Sequence, residues 1–318
     1  MKQNIEIGFG TAAVGRPQYI NIKSKSPQKF NKDLFRQDVL NMLEFAYDNG
    51  VRYFDTSPGY GMAEQVLIDW LKTKKDDSIE VATKWGYSYV ANFDPNASVH
   101  EIKSHKLSTL LEQWEKSKEL LPYLSTYQIH SATLDTRVLD NLPVLEKLNE
   151  LRMTYGLKIG ITTTGNNQVD VLKKALDVEV ESQQLFDVYQ VTYNILDQSL
   201  AEVSEELHRQ GKRIVVKEAL ANGRLFRNLN YLNYRPLYDA LETLGKKYEV
   251  GVDAIALAFC SATLNPFKVL SGASEKKQLT ENIKSVNVQF ETKDIELLKS
   301  FRVDPFEYWC ERKQLNWN

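Results

Sequence analysis

The chain has 318 residues, a net charge of −2, 42% apolar residues and 26% charged ones, an ordinary globular composition whose length fits two domains or one α/β barrel. No apolar run reaches the ~20 residues of a membrane span. The largest basic cluster, Lys23 to Lys32, is short and broken by Pro27, which argues against a nucleic-acid partner. Taken in chain order, short runs rich in Val, Ile, Tyr and Phe alternate with longer amphipathic ones. A strand is expected at 4–9, a long connection at 11–32 and a helix at 33–49. Strand and helix follow at 51–54 and 61–73, 79–84 and 103–119, 124–129 and 137–154, 157–161 and 166–178, then 186–191 and 198–210. The strand at 213–217 precedes helices at 235–248 and 252–263. The last strand, 267–271, precedes helices at 275–286 and 291–301.

Asp33, Asp135 and Asn166 are expected N-caps, and Gly50, Gly156 and Gly211 expected stops. Continuous apolar runs such as Ile214-Val215-Val216 fit strands buried on both faces. Eight strand–helix units in alternation predict a (β/α)8 TIM barrel, with extra helices before strand 8 and at the C-terminus. No Pro- or Ser-rich linker divides the chain, so a single domain over 1–318 is expected. Cys260 and Cys310 are far apart, which suits reduced thiols. Residues 1–15 lack a charged start followed by an apolar core, so no secretory leader and a cytoplasmic location are expected. The tail, 302–318, carries Phe306, Tyr308, Trp309 and Trp317. It suits an oligomer contact, a lid or plain packing equally well.

Polar residues stand at the exits of three successive strand runs. Asp55 closes Val51 to Phe54, and Tyr60 follows on the next turn, Asp55-Thr56-Ser57-Pro58-Gly59-Tyr60-Gly61. Lys84 ends Val81-Ala82-Thr83-Lys84-Trp85, and His130 ends Thr126-Tyr127-Gln128-Ile129-His130. In a barrel these ends converge on one mouth. Reducing a carbonyl requires a hydride and a proton. A phenol with a pKa near ~10 needs help to act as an acid at neutral pH. Lys84 can stabilise the developing phenolate, Asp55 can keep that lysine ionised, and His130 can hold the substrate oxygen. Singly, each residue reads as a turn, a solvated strand end or a packed histidine. His100, His105 and His208 read as surface residues, and no cluster has metal-ligand spacing.

The order Asp55, Tyr60, Lys84, His130 resembles the catalytic tetrad of the aldo-keto reductases, over Gly8 to about Ser285. The resemblance implies an NADP(H)-dependent oxidoreductase that reduces an aldehyde or ketone. It implies Gly10 and Thr11 beside the nicotinamide, and Thr162 and Gln190 on its carboxamide. Lys217 stands where relatives stack an aromatic ring. Leu220, Asn222 and Arg224 lie in the loop similar to the one that wraps the pyrophosphate. Ser274, Gln278, Glu281 and Asn282 match the adenosine site. Lys276 or Lys277 beside it favours NADPH, with NADH as the alternative. Trp85, Ala12 and Ser131 stand at pocket positions. The runner-up is a cofactor-binding sensor or scaffold with little turnover. A third reading, a barrel holding a phosphorylated sugar on its last loops, leaves Tyr60 without a use.

Overall fold

Eight parallel strands close into a barrel in strictly sequential order. They are β1 (Ile7–Gly10), β2 (Tyr53–Asp55), β3 (Glu80–Trp85), β4 (Leu124–Ala132), β5 (Lys158–Thr163), β6 (Val188–Thr192), β7 (Arg213–Lys217) and β8 (Lys268–Ser271). The computed structural model describes residues 5–17, 31–94 and 97–315. Helices α1 (Lys32–Asp48), α2 (Ala63–Leu71), α3 (Leu107–Ser117), α4 (Leu142–Tyr155), α5 (Gln168–Leu176) and α6 (Ala201–Arg209) follow the first six strands. Helices α7 (Arg235–Tyr248) and α8 (Val252–Leu264) precede β8. Helices α9 (Lys276–Ile283), α10 (Thr292–Lys299) and α11 (Pro305–Lys313) follow it. The expected (β/α)8 barrel and its added helices are therefore present.

The pleat of the strands decides what reaches the mouth. Side chains alternate in and out along a strand. Tyr53, Ala82, Val188, Val215 and Leu270 form a buried cluster inside the barrel. Two residues further along β2, β3, β6 and β7 stand Asp55, Lys84, Gln190 and Lys217. The polar site is thus one layer above an apolar plug. Gly160 of β5 makes room in this stack, because a Cβ there would meet Gln128 Cγ at 2.6 Å.

Local details depart from the sequence expectations at helix starts. The α1 cap is Asn31, whose side chain accepts from the amides of Asp33 and Leu34. Asn141, not Asp135, precedes α4, because two 3-10 turns fill 134–140 first. Asn167, not Asn166, precedes α5. Gly50, Gly156 and Gly211 all carry positive φ at helix ends, the conformation expected of stops. Two short hairpins, 87–89 with 101–103 and 179–180 with 183–184, were not expected. In the tail, Tyr308 and Trp309 are buried by packing of α11, while Phe306 is exposed. Trp317 and most of the 11–32 connection lie outside the described residues. Among the described residues no helix is long and apolar enough to cross a membrane.

Candidate active site

The first loop and the second are clamped together where the tyrosine turns inward. The Met62 amide donates to the Gly15 carbonyl at 2.9 Å. A Cβ at Gly15 would sit 2.1 Å from the Tyr60 carbonyl oxygen, so only glycine allows this approach. Thr11 adds a second tie, its hydroxyl 3.1 Å from the Asp55 carbonyl oxygen and 2.9 Å from Thr56 Oγ1.

Asp55, Tyr60, Lys84 and His130 meet at the mouth. The Lys84 ammonium donates to Asp55 Oδ1 and, at 3.0 Å, to the Thr56 carbonyl. It lies 5.0 Å from the centre of the Tyr60 ring. The Tyr60 hydroxyl is 3.3 Å from His130 Nε2, and Ser57 Oγ is 3.2 Å from His130 Nδ1. Gln190 Nε2 donates to Asp55 Oδ2 at 2.7 Å, and Gln128 Nε2 reaches the same oxygen at 3.4 Å. Burial pulls the Lys84 pKa down, and Asp55 opposes this through its charge and hydrogen bond. His130 is held well below its usual value by burial, then by the cations Lys84, Arg16 and Lys217. It is a neutral imidazole at physiological pH.

These groups open into a chamber of about 260 Å³, whose walls include Arg16, Tyr87, Glu101, Ser131, Thr162 and Arg312. The Tyr87 ring centre lies 4.7 Å from that of His130. Arg16, Tyr87, Glu101 and Arg312 were not singled out in the sequence. They arrive from the first loop, a hairpin and the C-terminal helix. Glu218 joins this chamber to a cleft of about 730 Å³ between the β7 loop and α9. The cleft is lined by Leu220, Asn222, Gly223, Gly272, Lys277 and Gln278, with Glu281 and Asn282 further along.

Of the expected cofactor contacts, Thr162, Gln190 and Lys217 line the mouth chamber, and Leu220, Asn222, Gln278, Glu281 and Asn282 the cleft. Gly10 ends β1. Thr11 is fully buried in the loop clamp. Ser274 is outside the cleft wall and donates to Gln278 Oε1 through its amide at 2.8 Å. Arg224 is elsewhere than expected. Its guanidinium is buried against α11, donating to the Tyr308 carbonyl at 3.0 Å and to Glu311 at 3.2 Å. The tail supplies these acceptors and the Tyr308 ring, whose centre lies 4.0 Å from the guanidinium carbon. Trp85 is also displaced from its expected place. The pleat sends it outward, where it is fully buried with its ring centre 5.5 Å from that of His105. His105, expected at the surface, is half-buried and holds the His130 carbonyl at 2.8 Å.

A sequence profile of the Aldo/keto reductase family matches residues 6–303. The chain belongs to the aldo-keto reductase family. Within it, the chain is 22% identical to the NADH-specific methylglyoxal reductase of Escherichia coli, over 92% of this chain and 93% of that one. It is 26% identical to the D-threo-aldose 1-dehydrogenase of a Pseudomonas species, over 87% of each. Among solved structures, the holo form of the aldo-keto reductase AKR11C1 from Bacillus halodurans superposes with a TM-score of 0.66 at 24% identity. That match covers 92% of this chain and 91% of that one. The glycerol dehydrogenase AKR11B4 from Gluconobacter oxydans gives 0.70 at 17% identity, covering 93% and 90%. The family is one of oxidoreductases that use nicotinamide cofactors and act on small carbonyl compounds.

The cleft suits such a cofactor. Asn222 Oδ1 is buried there without a hydrogen-bond partner, and a Cβ at Gly272 would meet nothing within 4 Å. An unmet acceptor and an open cradle are what a bound polar ligand would fill.

A buried carboxyl behind β3 yields one prediction. Glu64 of α2 accepts from Thr83 and, at 2.8 Å, from Ser117. Burial raises its pKa to about 7 from 4.5, against the pull of both hydroxyls and of Lys84 and Lys116. The folded value lies above the unfolded one. Its contribution to stability is therefore full below the unfolded value and is lost as pH rises through the folded one. Glu64→Gln should gain stability over wild type between about pH 5 and about pH 8, by up to roughly 3 kcal/mol. Thermal unfolding at both pH values reads this, and a pH-independent difference would contradict it.

Proposed function

We propose that the protein is an NADP(H)-dependent carbonyl reductase in which Tyr60 is the general acid. The supporting observation is the Tyr60 hydroxyl 3.3 Å from His130 Nε2, with the Lys84 ammonium 5.0 Å from its ring, at the head of the cleft. Reduced nicotinamide bound there would supply the hydride. Asp55 keeps Lys84 charged and aimed. The Lys84 cation stabilises the phenolate left on Tyr60 after proton transfer. The Gly59 amide donates to Ser57 Oγ at 3.1 Å, so we assign the Ser57 proton to His130 Nδ1. That tautomer turns Nε2–H toward Tyr60 and a substrate oxygen. Thr162 and Gln190, on the chamber wall, would hold a carboxamide, and Leu220 and Asn222, on the cleft wall, would line the pyrophosphate. Gln278, Glu281 and Asn282 would meet the adenosine.

Loss of reduced-nicotinamide absorbance across a panel of aldehydes and ketones tests the reading. Tight cofactor binding with no turnover on any member would instead support the sensor alternative.

Cofactor choice rests on Lys277. It lines the cleft and makes no ion pair among the described residues. Lys276 turns away, its ammonium 5.3 Å from the Phe45 ring centre. Lys277→Ala should weaken NADPH by ~10-fold, the worth of one charge-assisted contact, and leave NADH unchanged. Fluorescence titrations with both cofactors measure this. An equal loss for both would remove Lys277 from the 2′-phosphate.

A further inference from the structure

The mouth chamber carries an excess of positive charge that its own residues do not cancel. Its walls include four cations, Arg16, Lys217, Arg312 and Lys313, and two carboxylates, Glu101 and Glu218. Each carboxylate already has its arginine. Arg16 Nη1 is 2.6 Å from Glu101 Oε2. Arg312 reaches Glu218 Oε1 through Nη2 at 2.7 Å and through Nε at 3.1 Å. Burial works against the Glu218 charge, but Arg312 and Lys217 outweigh it and hold the pKa at about 2. Deeper in, Asp55 matches Lys84.

Lys217 is different. Its ammonium donates to the neutral Thr192 Oγ1 at 2.7 Å and is in no ion pair among the described residues. It stands on β7 one layer above Val215, so it projects over the barrel interior and not outward to solvent. It lines the chamber with Tyr60 and His130 and is absent from the wall of the cleft, which the chamber meets at Glu218. An ammonium in a partly dry chamber, hydrogen-bonded only to a hydroxyl and beside a carboxylate, Glu218, that Arg312 already pairs, favours an incoming anion. The charges felt by His130 agree: after burial, its strongest influences are the cations Lys84, Arg16 and Lys217.

We propose that Lys217 is a specificity-determining residue that receives an anionic group on the substrate, so the carbonyl compound reduced here is a small acid. Its carboxylate or phosphate lies a few bonds from the carbonyl, since the whole chamber is only about 260 Å³. This rests on the carbonyl-reductase reading and narrows it.

Matched pairs of substrates test it: succinic semialdehyde against butanal, and glyceraldehyde 3-phosphate against glyceraldehyde. Wild type should prefer the anion by at least ~10-fold in kcat/KM in at least one pair, the size of one charge-assisted contact. The favoured pair tells carboxylate from phosphate. Lys217→Met should erase the preference and Lys217→Arg should retain it. Both members of a pair use the same loaded enzyme, so any change in cofactor binding cancels in the ratio. Calorimetric titration of succinate and of inorganic phosphate into enzyme saturated with NADPH gives a readout free of turnover. Lys217→Met should weaken the favoured anion by at least ~10-fold. An unchanged preference in Lys217→Met, or equal anion affinity in both proteins, overturns the proposal. If no aldehyde is reduced, the carbonyl-reductase reading falls, and the titration alone decides whether Lys217 binds an anion.

Discussion

Tyr60→Phe should reduce turnover by at least ~10²-fold, the lower end for removing a general acid, with little change in cofactor affinity. The substitution removes one oxygen and keeps the ring. The ring's contacts with Arg16 and Lys84, at 5.5 Å and 5.0 Å from its centre, stay in place. So does its edge-on packing against His130, 5.4 Å between centres. The cleft is separate from the phenol, and its wall does not include Tyr60. A fall in kcat with an unchanged dissociation constant for NADPH therefore isolates the proton step. His130 Nε2 cannot replace the lost acid, because burial and three neighbouring cations keep that imidazole neutral. Near-normal kcat in the variant would remove Tyr60 from its role.

Much of this arrangement was legible before any coordinates, for a definite reason. Parallel barrel strands are buried on both faces, so they read as unbroken apolar runs, and Ile214, Val215 and Val216 are all fully buried. A polar residue ending such a run must exit at the mouth or break the core. That logic located Asp55, Lys84 and His130. Gln190 came only from the resemblance; besides facing the chamber it donates to Asp55.

What stayed hidden lacks periodicity. Arg16 and Arg312 are 296 positions apart and become neighbours of one chamber only through the closure of the barrel and the packing of α11. Arg224 looked free to hold phosphate because its partners, Tyr308 and Glu311, come from a tail with no recognisable pattern. Trp85 is absent from the chamber wall because of the pleat. Lys84 faces into the barrel, so period-two alternation already requires its neighbour to face the helices. The same alternation applied to Thr83 leads to Glu64, a buried carboxyl that composition gave no cause to notice.

Lys84→Met should abolish carbonyl reduction and also destabilise the fold. Lys84 and Asp55 have side-chain exposures of 1% and 4%. Removing the lysine leaves a carboxylate in the barrel with two amide donors, Gln190 at 2.7 Å and Gln128 at 3.4 Å, and no cation in contact. Breaking a buried pair from one side costs about 3–5 kcal/mol, since the remaining charge has lost both water and partner. Asp55→Asn is the milder change. Lys84 then keeps the Thr56 carbonyl at 3.0 Å as an acceptor, and the cation stays beside the Tyr60 ring. Turnover should fall in this variant but remain measurable. The two effects of Lys84→Met separate by experiment. Urea unfolding reports the uncompensated carboxylate, and single-turnover oxidation of bound NADPH on folded protein reports the chemistry. A variant that unfolds more easily but reduces substrate within ~10-fold of wild type would make the pair structural and leave the phenolate without its cation. Loss of both stability and the chemical step is the expected outcome, because the ammonium that pairs with the Asp55 carboxylate also lies 5.0 Å from the Tyr60 ring centre.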